Sequence, residues 1–342
     1  MSDSSYSLPK EREPSKHENN VPFKGRNYDD PCLLNALSTH FLICTEKTTG
    51  KGEDSGLEIY NTKAGICSVC DGCGGSGFML RNNMTDAYFA SRVTQNACRL
   101  WFQYNCEHEA NWDMDHLKKL IISCLRTCRR YIGEPSMRIS GSMVKTLPTT
   151  LAGIVCWTEQ GNLISKHFWA GDSRNYLLDQ NGLCQITVDD SQCQDAMENL
   201  TRDATLTNII SADEDFAIHS TIIVLSQPCV LFSASDGCFS YISSPMEFEL
   251  LLLKTLLNAD SIDTWESSLR DEISCRAGDD QTLALSAYGF ASFPDMKAYY
   301  AERYQFMNTL LNSCGSNSEQ HQQYAVWKEY KPDYYRYISE LE

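Results

Sequence analysis

Residues 64–75 read AGICSVCDGCGG, a short apolar stretch that runs into an acidic, glycine-rich turn. The apolar and β-branched residues up to Cys70 predict a buried strand, and Asp71 follows at its carboxyl end. The glycines beyond Asp71 let the backbone approach a metal ion or a phosphate closely. The stretch therefore predicts an oxygen ligand at the end of a strand.

The same arrangement returns twice further along the chain. The apolar run 229–235 leads into Asp236, and Asp279 stands just before another apolar run. A Glu53-Asp54 pair lies upstream of all three acidic points. One Asp-Gly pair after a strand is a common turn. Three acidic points beside strands, together with an acidic pair, indicate oxygen ligands gathered from distant parts of one fold.

Carboxylates that converge in this way predict a divalent-cation site. They repel each other and lose hydration when they are brought together, and a divalent cation relieves both penalties. Oxygen ligands suit Mg²⁺ or Mn²⁺. The seven His are isolated in the sequence, without metal-ligand spacing. Two such ions acidify a bridging water and clamp a phosphoryl group, which points to phosphoryl hydrolysis.

The composition fits one large enzyme domain with appendages. The chain has 342 residues, 42% of them hydrophobic, and a formal net charge of −16. This charge argues against binding to nucleic acid or to anionic membranes, because both need clustered Lys and Arg. No apolar stretch predicts a transmembrane helix, and residues 1–20 lack the apolar core of a signal peptide.

The sixteen Cys are scattered along the chain, several of them inside apolar runs. Without a secretion signal, this distribution indicates reduced, buried thiols in a cytoplasmic protein rather than a disulfide framework. The CxxCxGxG pattern that begins at Cys67 also resembles one repeat of the zinc fold of J-type chaperones. That fold needs four repeats to supply its thiolates, so a buried strand is the better interpretation.

The chain divides into three predicted parts. Residues 1–21 are polar and predicted to be disordered, and residues 22–290 form one mixed domain. Residues 291–342 predict an aromatic helical tail that packs on the domain or docks a partner. Helices set between groups of strands favour antiparallel sheets covered by helices, and residues 187–216 predict a surface flap. Predicted strands include 41–44, 57–60, 65–70, 149–157, 163–170, 175–178 and 222–225, and predicted helices 85–103, 115–130, 245–257 and 262–275.

Six segments, in order along residues 40–290, resemble the motifs of the metal-dependent protein serine/threonine phosphatases of the 2C type. No single segment is decisive, but six in the family order are highly specific. The segments are Glu53-Asp54-Ser55, Asp71-Gly72-Cys73-Gly74-Gly75, Leu147-Pro148-Thr149-Thr150-Leu151, Gly171-Asp172-Ser173-Arg174, Ser235-Asp236-Gly237 and Asp279-Asp280-Gln281-Thr282.

This resemblance implies a four-layer α-β-β-α sandwich with two mainly antiparallel sheets. It also implies that a metal-activated water hydrolyses phosphoserine and phosphothreonine in phosphoprotein substrates. Two core ions of Mn²⁺ or Mg²⁺, and a weaker third ion, are the cofactors that it implies. Asp71, Asp236 and Asp279 are the catalytic residues expected on this basis.

The resemblance assigns a metal role to seven residues. Asp71 is expected to bridge the two core ions, and Gly72 to offer its carbonyl oxygen. Asp236 and Asp279 are expected to hold one of these two core ions. The remaining ligands complete the coordination directly, through water or at the third ion, and they are Glu53, Asp54 and Asp172.

Two positions depart from the family pattern. Thr49 stands where an Arg often grips the substrate phosphate, so we expect Lys51 or Arg174 at that phosphate, with Lys47 as a further option. Lys is a point charge and not a bidentate fork. Cys73 stands where the family often has His, which predicts a packing role or, alternatively, a tuned acid.

Three alternatives remain open at this point. The segment from Arg26 to Asp30 also resembles an Arg followed by paired acids, although the spacing to Asp71 favours Glu53-Asp54. A catalytically silent phosphatase fold that binds a partner is the second alternative, because the Arg is missing. The third is that the aromatic tail, 291–342, docks a protein partner instead of packing on the domain.

Overall fold

The computed structural model describes residues 39–73, 84–108, 111–132, 145–200, 205–313 and 320–338. The predictions made for residues 1–21, for the segment from Arg26 to Asp30, and for Gly74 and Gly75 lie outside these residues. Within them, no helix has the length and apolar character needed to cross a membrane.

Among the residues just given, ten strands form two five-stranded antiparallel sheets. Sheet A has the strand order β1-β10-β9-β6-β7, and sheet B the order β2-β3-β4-β5-β8. The strands are β1 (Thr39–Thr45), β2 (Ser55–Tyr60), β3 (Ala64–Cys70), β4 (Leu151–Glu159), β5 (Asn162–Ala170), β6 (Arg174–Asp179), β7 (Gly182–Gln185), β8 (His219–Leu225), β9 (Cys229–Ala234) and β10 (Gln281–Tyr288).

Helices cover the outer faces of both sheets, which confirms the predicted four-layer sandwich. The helices α1 and α2 pack on sheet B, and α4 to α7 pack on sheet A. They are α1 (Asp86–Glu107), α2 (Met114–Ile132), α3 (Ala196–Asn199), α4 (Pro245–Asn258), α5 (Ile262–Ser274), α6 (Phe293–Ser313) and α7 (Gln320–Tyr334).

Strand β3 shows how the sequence produces these layers. Successive side chains of a strand point to opposite faces of its sheet. Ile66 and Cys70 accordingly pack under helices α1 and α2, whereas Cys67 and Val69 pack between the two sheets. A strand that is buried on both faces reads as the continuous apolar run seen in the sequence.

The helix α1 begins at a capped end. Thr85 accepts a hydrogen bond from the backbone N–H of Tyr88, which pairs one of the free donors of the first turn. Ser244 caps α4 in the same way, with Pro245 in its first turn. These caps fix the helix starts that the sequence predicts near positions 85 and 245.

The C-terminal helices α6 and α7 pack against the outside of sheet A. Tyr300, Met307, Trp327 and Tyr334 are buried in the core cluster on that face. The hydroxyl of Tyr300 also donates to the carbonyl of Leu178 in β6 over 2.7 Å. The two helices are therefore part of the layer that covers sheet A.

Candidate functional site

Asp71 is held at the end of β3 by the start of the neighbouring strand. Its carbonyl accepts hydrogen bonds from the N–H of Thr150 over 2.8 Å and from the hydroxyl of Thr149 over 2.7 Å. Its own N–H donates to Oγ1 of Thr150 over 3.1 Å. The two threonines thus fix the backbone from which the Asp71 carboxyl group projects.

Gly72 permits a close meeting of three chain segments. A Cβ atom at this position would lie 2.6 Å from the carbonyl oxygen of Ala87 and 2.8 Å from that of Glu53. Both oxygens belong to backbone, so a larger residue would force α1 or the Glu53 loop away from β3. The glycine therefore brings Glu53 next to Asp71.

Glu53 is fixed through both its side chain and its backbone. Its Oε1 accepts a hydrogen bond from the hydroxyl of Thr85 over 2.5 Å, and its carbonyl accepts one from Ser91. Its N–H donates to Oδ2 of Asp280 over 2.6 Å. Burial raises the pKa of Glu53, and the nearby charges of Asp280 and Asp279 add to this effect, while the Thr85 bond opposes it.

Asp54 lies among the strand ends of sheet A. Its Oδ2 accepts a hydrogen bond from the hydroxyl of Ser235, the residue before Asp236, over 2.7 Å. Burial raises the pKa of Asp54 to about 7, and the charges of Asp280 and Asp236 contribute. This carboxyl group is therefore inside the same acidic cluster.

The carboxyl groups of Asp71 and Asp236 lie close together although they follow strands of different sheets. Burial raises the pKa of Asp71 well above its usual value, and the charges of Asp54, Asp236 and Asp172 raise it further. Burial also raises the pKa of Asp236. Burial, with the charges of Asp236 and Asp189, raises the pKa of Asp172 to about 7.

Asp279 lies at the exposed side of the cluster. Its charge raises the pKa of both Asp236 and Glu53, which places it near the two. The approach depends on Gly237, because a Cβ atom there would fall 1.8 Å from the carbonyl oxygen of Asp280. The turn after β9 and the turn before β10 therefore touch through backbone.

The donor set of this cluster fits a hard divalent cation. Asp54, Asp71, Asp172 and Asp236 offer oxygen atoms, and their mutual repulsion is what a divalent charge would relieve. In the part of the chain that the structure describes, no three His, Cys, Asp or Glu side chains are grouped closely enough to hold a metal ion as they stand.

Arg174 has a different place from the one expected at a substrate phosphate. It is 2% exposed, and its Nη2 atom lies 2.7 Å from Oδ2 of Asp189. Its guanidinium also lies 4.2 Å from the centre of the Phe239 ring. The ion pair uses the N–H groups of the guanidinium, and the ring contact uses its flat face, both inside the protein. Arg174 is therefore not available to a ligand. Lys47 and Lys51, by contrast, are exposed on the loop before Glu53.

Cys67, Cys70 and Cys73, the three cysteines around Asp71, are surrounded as packed residues are. Cys67 and Cys70 point to opposite faces of sheet B, so they do not share a zinc ion. The thiol of Cys73 donates to the carbonyl of Asp71 over 3.7 Å. Burial and the neighbouring acids raise the pKa of Cys73 well above its usual value, which favours the packing role over a tuned acid.

Five residues to which the sequence analysis gave no role in the site hold the predicted site residues in place. Thr85, Thr149, Thr150, Ser235 and Asp280 bind the backbone or carboxyl groups of Glu53, Asp54 and Asp71. All five are next to or within the quoted segments, or cap a predicted helix. Their places in the sequence could therefore have marked them as supporting residues. The sequence does not show which way each side chain points.

Comparison with known proteins shows likeness in structure but not in sequence. No protein-family model and no curated protein matches the sequence. The crystal structure of the serine/threonine phosphatase Stp1 from Staphylococcus aureus matches with a TM-score of 0.54 and 18% identity, over 78% of this chain and 99% of that one. The Mycobacterium tuberculosis serine/threonine phosphatase PstP/Ppp matches with a TM-score of 0.52 and 16% identity, over 73% and 97% of the two chains.

A third solved structure agrees with these two. PppA of Pseudomonas aeruginosa, described as a regulatory component of a type VI secretion system, matches with a TM-score of 0.51 and 18% identity, over 72% of this chain and 96% of that one. At such identities the likeness concerns the fold alone. It confirms for this chain the fold of the 2C-type serine/threonine phosphatases that the ordered motifs implied.

Proposed function

We propose that this protein is a Mn²⁺- or Mg²⁺-dependent protein serine/threonine phosphatase. The observation that carries the proposal is a set of four half-buried carboxyl groups at the strand ends of the two sheets, whose pKa values are raised by burial and by neighbouring acids. They are those of Asp54, Asp71, Asp172 and Asp236. Bringing like charges together partly out of water is costly for a fold, and such groups are common at functional sites. Binding of divalent cations that hydrolyse phosphate esters is the purpose that fits this fold best.

In this proposal the chain's own residues hold and orient the ions. Asp71 and Asp236 face each other from the two sheets, Gly72 offers its carbonyl, and Asp279 closes the exposed side. The other ligands are Glu53 and Asp54, directly or through water, and Asp172 at a weaker third ion. When bound, two ions would supply an acidified water and would neutralise charge on the phosphoryl group. No covalent phosphoenzyme is needed.

The substrates in this proposal are phosphoserine and phosphothreonine of phosphoproteins, as in signalling. Lys51 is exposed on the loop before Glu53 and is our choice for the contact with the substrate phosphate. Arg174 is no longer part of that contact, because Asp189 and Phe239 surround it. A cytoplasmic location belongs to the same proposal, since a cytoplasmic setting keeps so many thiols reduced.

A second candidate is a silent phosphatase fold that binds a partner. Thr49, exposed where the family often has a phosphate-gripping Arg, favours this candidate. Its side chain carries no charge with which to hold a phosphate. The two candidates differ in whether the acidic cluster supports turnover.

Phosphate release decides between them. The full chain is given a phosphothreonine peptide or p-nitrophenyl phosphate, with Mn²⁺, with Mg²⁺ or with EDTA. We expect turnover that depends on metal and falls by about 10²-fold or more in Asp236→Asn, because a charge-stabilising group at a reacting phosphate is worth that much. Asp271→Asn makes the same charge change at an exposed site on α5 and serves as the control. A folded protein without turnover under any metal would leave the binding role.

A further inference from the structure

The C-terminal helix α7 is bonded to the start of the predicted flap. We call residues 187–200 the flap base. Nζ of Lys331 lies 2.8 Å from Oδ2 of Asp195, and Nε1 of Trp327 donates to Oδ1 of the same carboxylate over 3.2 Å. The hydroxyl of Tyr335, just beyond α7, accepts the N–H of Ala196 over 2.7 Å. One carboxylate and one backbone group of the flap base are thus held from α7 and its end.

These contacts are partly shielded from water. Trp327 is 2% exposed and Tyr335 is 5% exposed. The side chain of Asp195 is 19% exposed and that of Lys331 is 35% exposed. This ion pair is partly buried, and its carboxylate also accepts a hydrogen bond from a buried Trp. Its geometry is therefore more restricted than that of an exposed surface pair. The contact therefore fixes a position rather than only adding charge.

The flap base is in turn bonded to the loop that carries Asp172. The N–H of Asp190 donates to the carbonyl of Gly171 over 3.0 Å. The N–H of Gly171 donates back to Oδ2 of Asp190 over 2.9 Å. The Arg174–Asp189 pair adds a buried ionic link just beyond Asp172. The backbone beside Asp172 is therefore tied to the flap base on both sides.

A second route joins the same two elements through the interior. The hydroxyl of Tyr334 donates to Oε1 of Gln185 over 3.1 Å, and Nε2 of Gln185 donates to Oδ1 of Asp189 over 3.3 Å. All three residues are buried. The helix α7 thus reaches Asp189 both through the flap base and through the end of β7.

We propose that α7 is a positioning element for the acidic site, acting through Asp195 and the flap base on the loop that carries Asp172. This inference deepens the proposed function, on which it rests. The residues of α7 touch neither ion nor substrate in this account. Their effect is to hold the Gly171–Asp172 backbone in one place, so that loosening α7 weakens metal binding and turnover with every site carboxylate intact.

The test compares two lysine substitutions on α7 in the full chain. Lys331→Met removes the partner of Asp195, whereas Lys328→Met makes the same change at an exposed position of the same helix. We expect amide hydrogen exchange at Ala196 and at Gly171 to be about fivefold faster in Lys331→Met, as for loss of a partly buried pair. We also expect weaker Mn²⁺ binding by calorimetry and a lower kcat at unchanged KM for the peptide. Lys331→Arg keeps the positive charge, so we expect it to match the unsubstituted protein in hydrogen exchange, Mn²⁺ binding and kcat.

Several outcomes overturn the inference. It fails if Lys331→Met matches Lys328→Met in exchange, or if only Ala196 changes while Gly171 and Mn²⁺ binding do not. If the unsubstituted protein shows no turnover, the proposed hydrolysis fails, and exchange at Gly171 still decides whether α7 positions the loop. Tyr335→Phe, which removes the hydroxyl that accepts the Ala196 N–H, is a second variant expected to act as Lys331→Met does.

Discussion

The backbone N–H of Glu53 donates to Oδ2 of Asp280 over 2.6 Å, although the two residues are 227 positions apart. The other oxygen of Asp280 accepts the N–H of Lys47 over 2.7 Å. One carboxylate therefore holds both ends of the loop that carries the exposed Lys51. The loop in which we place the phosphate contact is anchored to the same turn as Asp279.

A substitution at Gly237 tests the close approach of the two turns. Gly237→Ala would place a Cβ atom 1.8 Å from the carbonyl oxygen of Asp280. We expect a loss of about 1–3 kcal/mol in the free energy of unfolding, as for other overpacked sites, with weaker Mn²⁺ binding. Urea unfolding and calorimetry measure the two effects. Gly50→Asn is the control, because no atom lies within 4 Å of a Cβ there and Asn tolerates its positive φ. Unchanged stability and Mn²⁺ affinity in Gly237→Ala would contradict the contact.

The acidic cluster predicts that Mn²⁺ stabilises the protein more at high pH than at low pH. The pKa of Asp54 and that of Asp172 are raised to about 7, so folding disfavours their charged forms. The metal-free protein then loses stability as the pH rises from the ordinary carboxyl pKa of about 4 to about 7, and the loss is complete above that. Divalent cations remove this penalty.

Thermal unfolding with and without Mn²⁺ at pH 5.5, 6.5 and 8 checks this relation. At a hundred times its Kd, the ion adds about 2.7 kcal/mol to the stability. We expect the resulting rise in Tm to be several degrees at pH 8, smaller at pH 5.5, and much reduced throughout in Asp236→Asn. A rise that is independent of pH, or larger in acid, would show that these carboxyl groups do not hold the ion.

The buried His167 predicts an opposite effect of pH from a different place. Its Nε2 pairs with the hydroxyl of Ser165 over 3.1 Å, while its Nδ1 has no partner among the described residues. Burial lowers the pKa of His167 to about 3. The unfolded chain takes up a proton near the ordinary pKa of about 6.5 and the folded chain does not, so this residue lowers stability as the pH falls from 6.5 to 3.

A substitution that cannot titrate isolates this contribution. His167→Gln is expected to flatten the acid side of the stability curve by up to about 1.4 kcal/mol per pH unit, whatever its effect at neutral pH. His108→Gln makes the same change at an exposed histidine and serves as the control. Urea unfolding between pH 4 and 7 supplies the measurement, and equal slopes for the two variants would refute the assignment.

The ion pair under the C-terminal helices predicts a large cost when only one partner is removed. Glu249 of α4 has a side chain with 0% exposure, and Nη2 of Arg303 in α6 donates to its Oε2 over 3.0 Å. Tyr330 of α7 donates to the same oxygen. Arg303→Met leaves the carboxylate buried without its counter-charge, and we expect a loss of about 3–5 kcal/mol in the free energy of unfolding.

The double substitution Arg303→Met with Glu249→Leu removes both charges. We expect it to recover much of the loss, because apolar groups of similar volume replace a buried pair at little cost. Urea unfolding of the single and double variants gives the comparison. Similar destabilisation in both would mean that packing of the Arg303 stem, and not the charge of Glu249, accounts for the effect.

Part of this molecule was predictable because local patterns decide it. The buried strands β3, β4 and β5 are apolar or β-branched runs, and the caps at Thr85 and Ser244 mark helix starts. The short strand β7 gives only four residues of pattern, which is too few to predict a strand. The order of the six segments was enough to predict the sandwich fold.

The remaining parts depend on contacts between distant residues. Arg174 was expected at the substrate phosphate, but its place in β6 turns it inward to Asp189. The adjacent acids Asp279 and Asp280 have different surroundings, because the second faces the N–H groups of the Glu53 loop. No local pattern records which of two neighbouring carboxylates faces another backbone.

The division of the acidic residues between the two sheets has a mechanical consequence. Asp71 ends β3 of sheet B and Asp236 follows β9 of sheet A, so the layer between the sheets, which includes Val69 and Leu231, sets the distance between them. Mg²⁺ demands shorter and more regular ligand distances than larger cations do. At the proposed metal site, the thickness of this apolar layer would set the span available to an ion, so resizing residues that never meet the metal would change the metal preference.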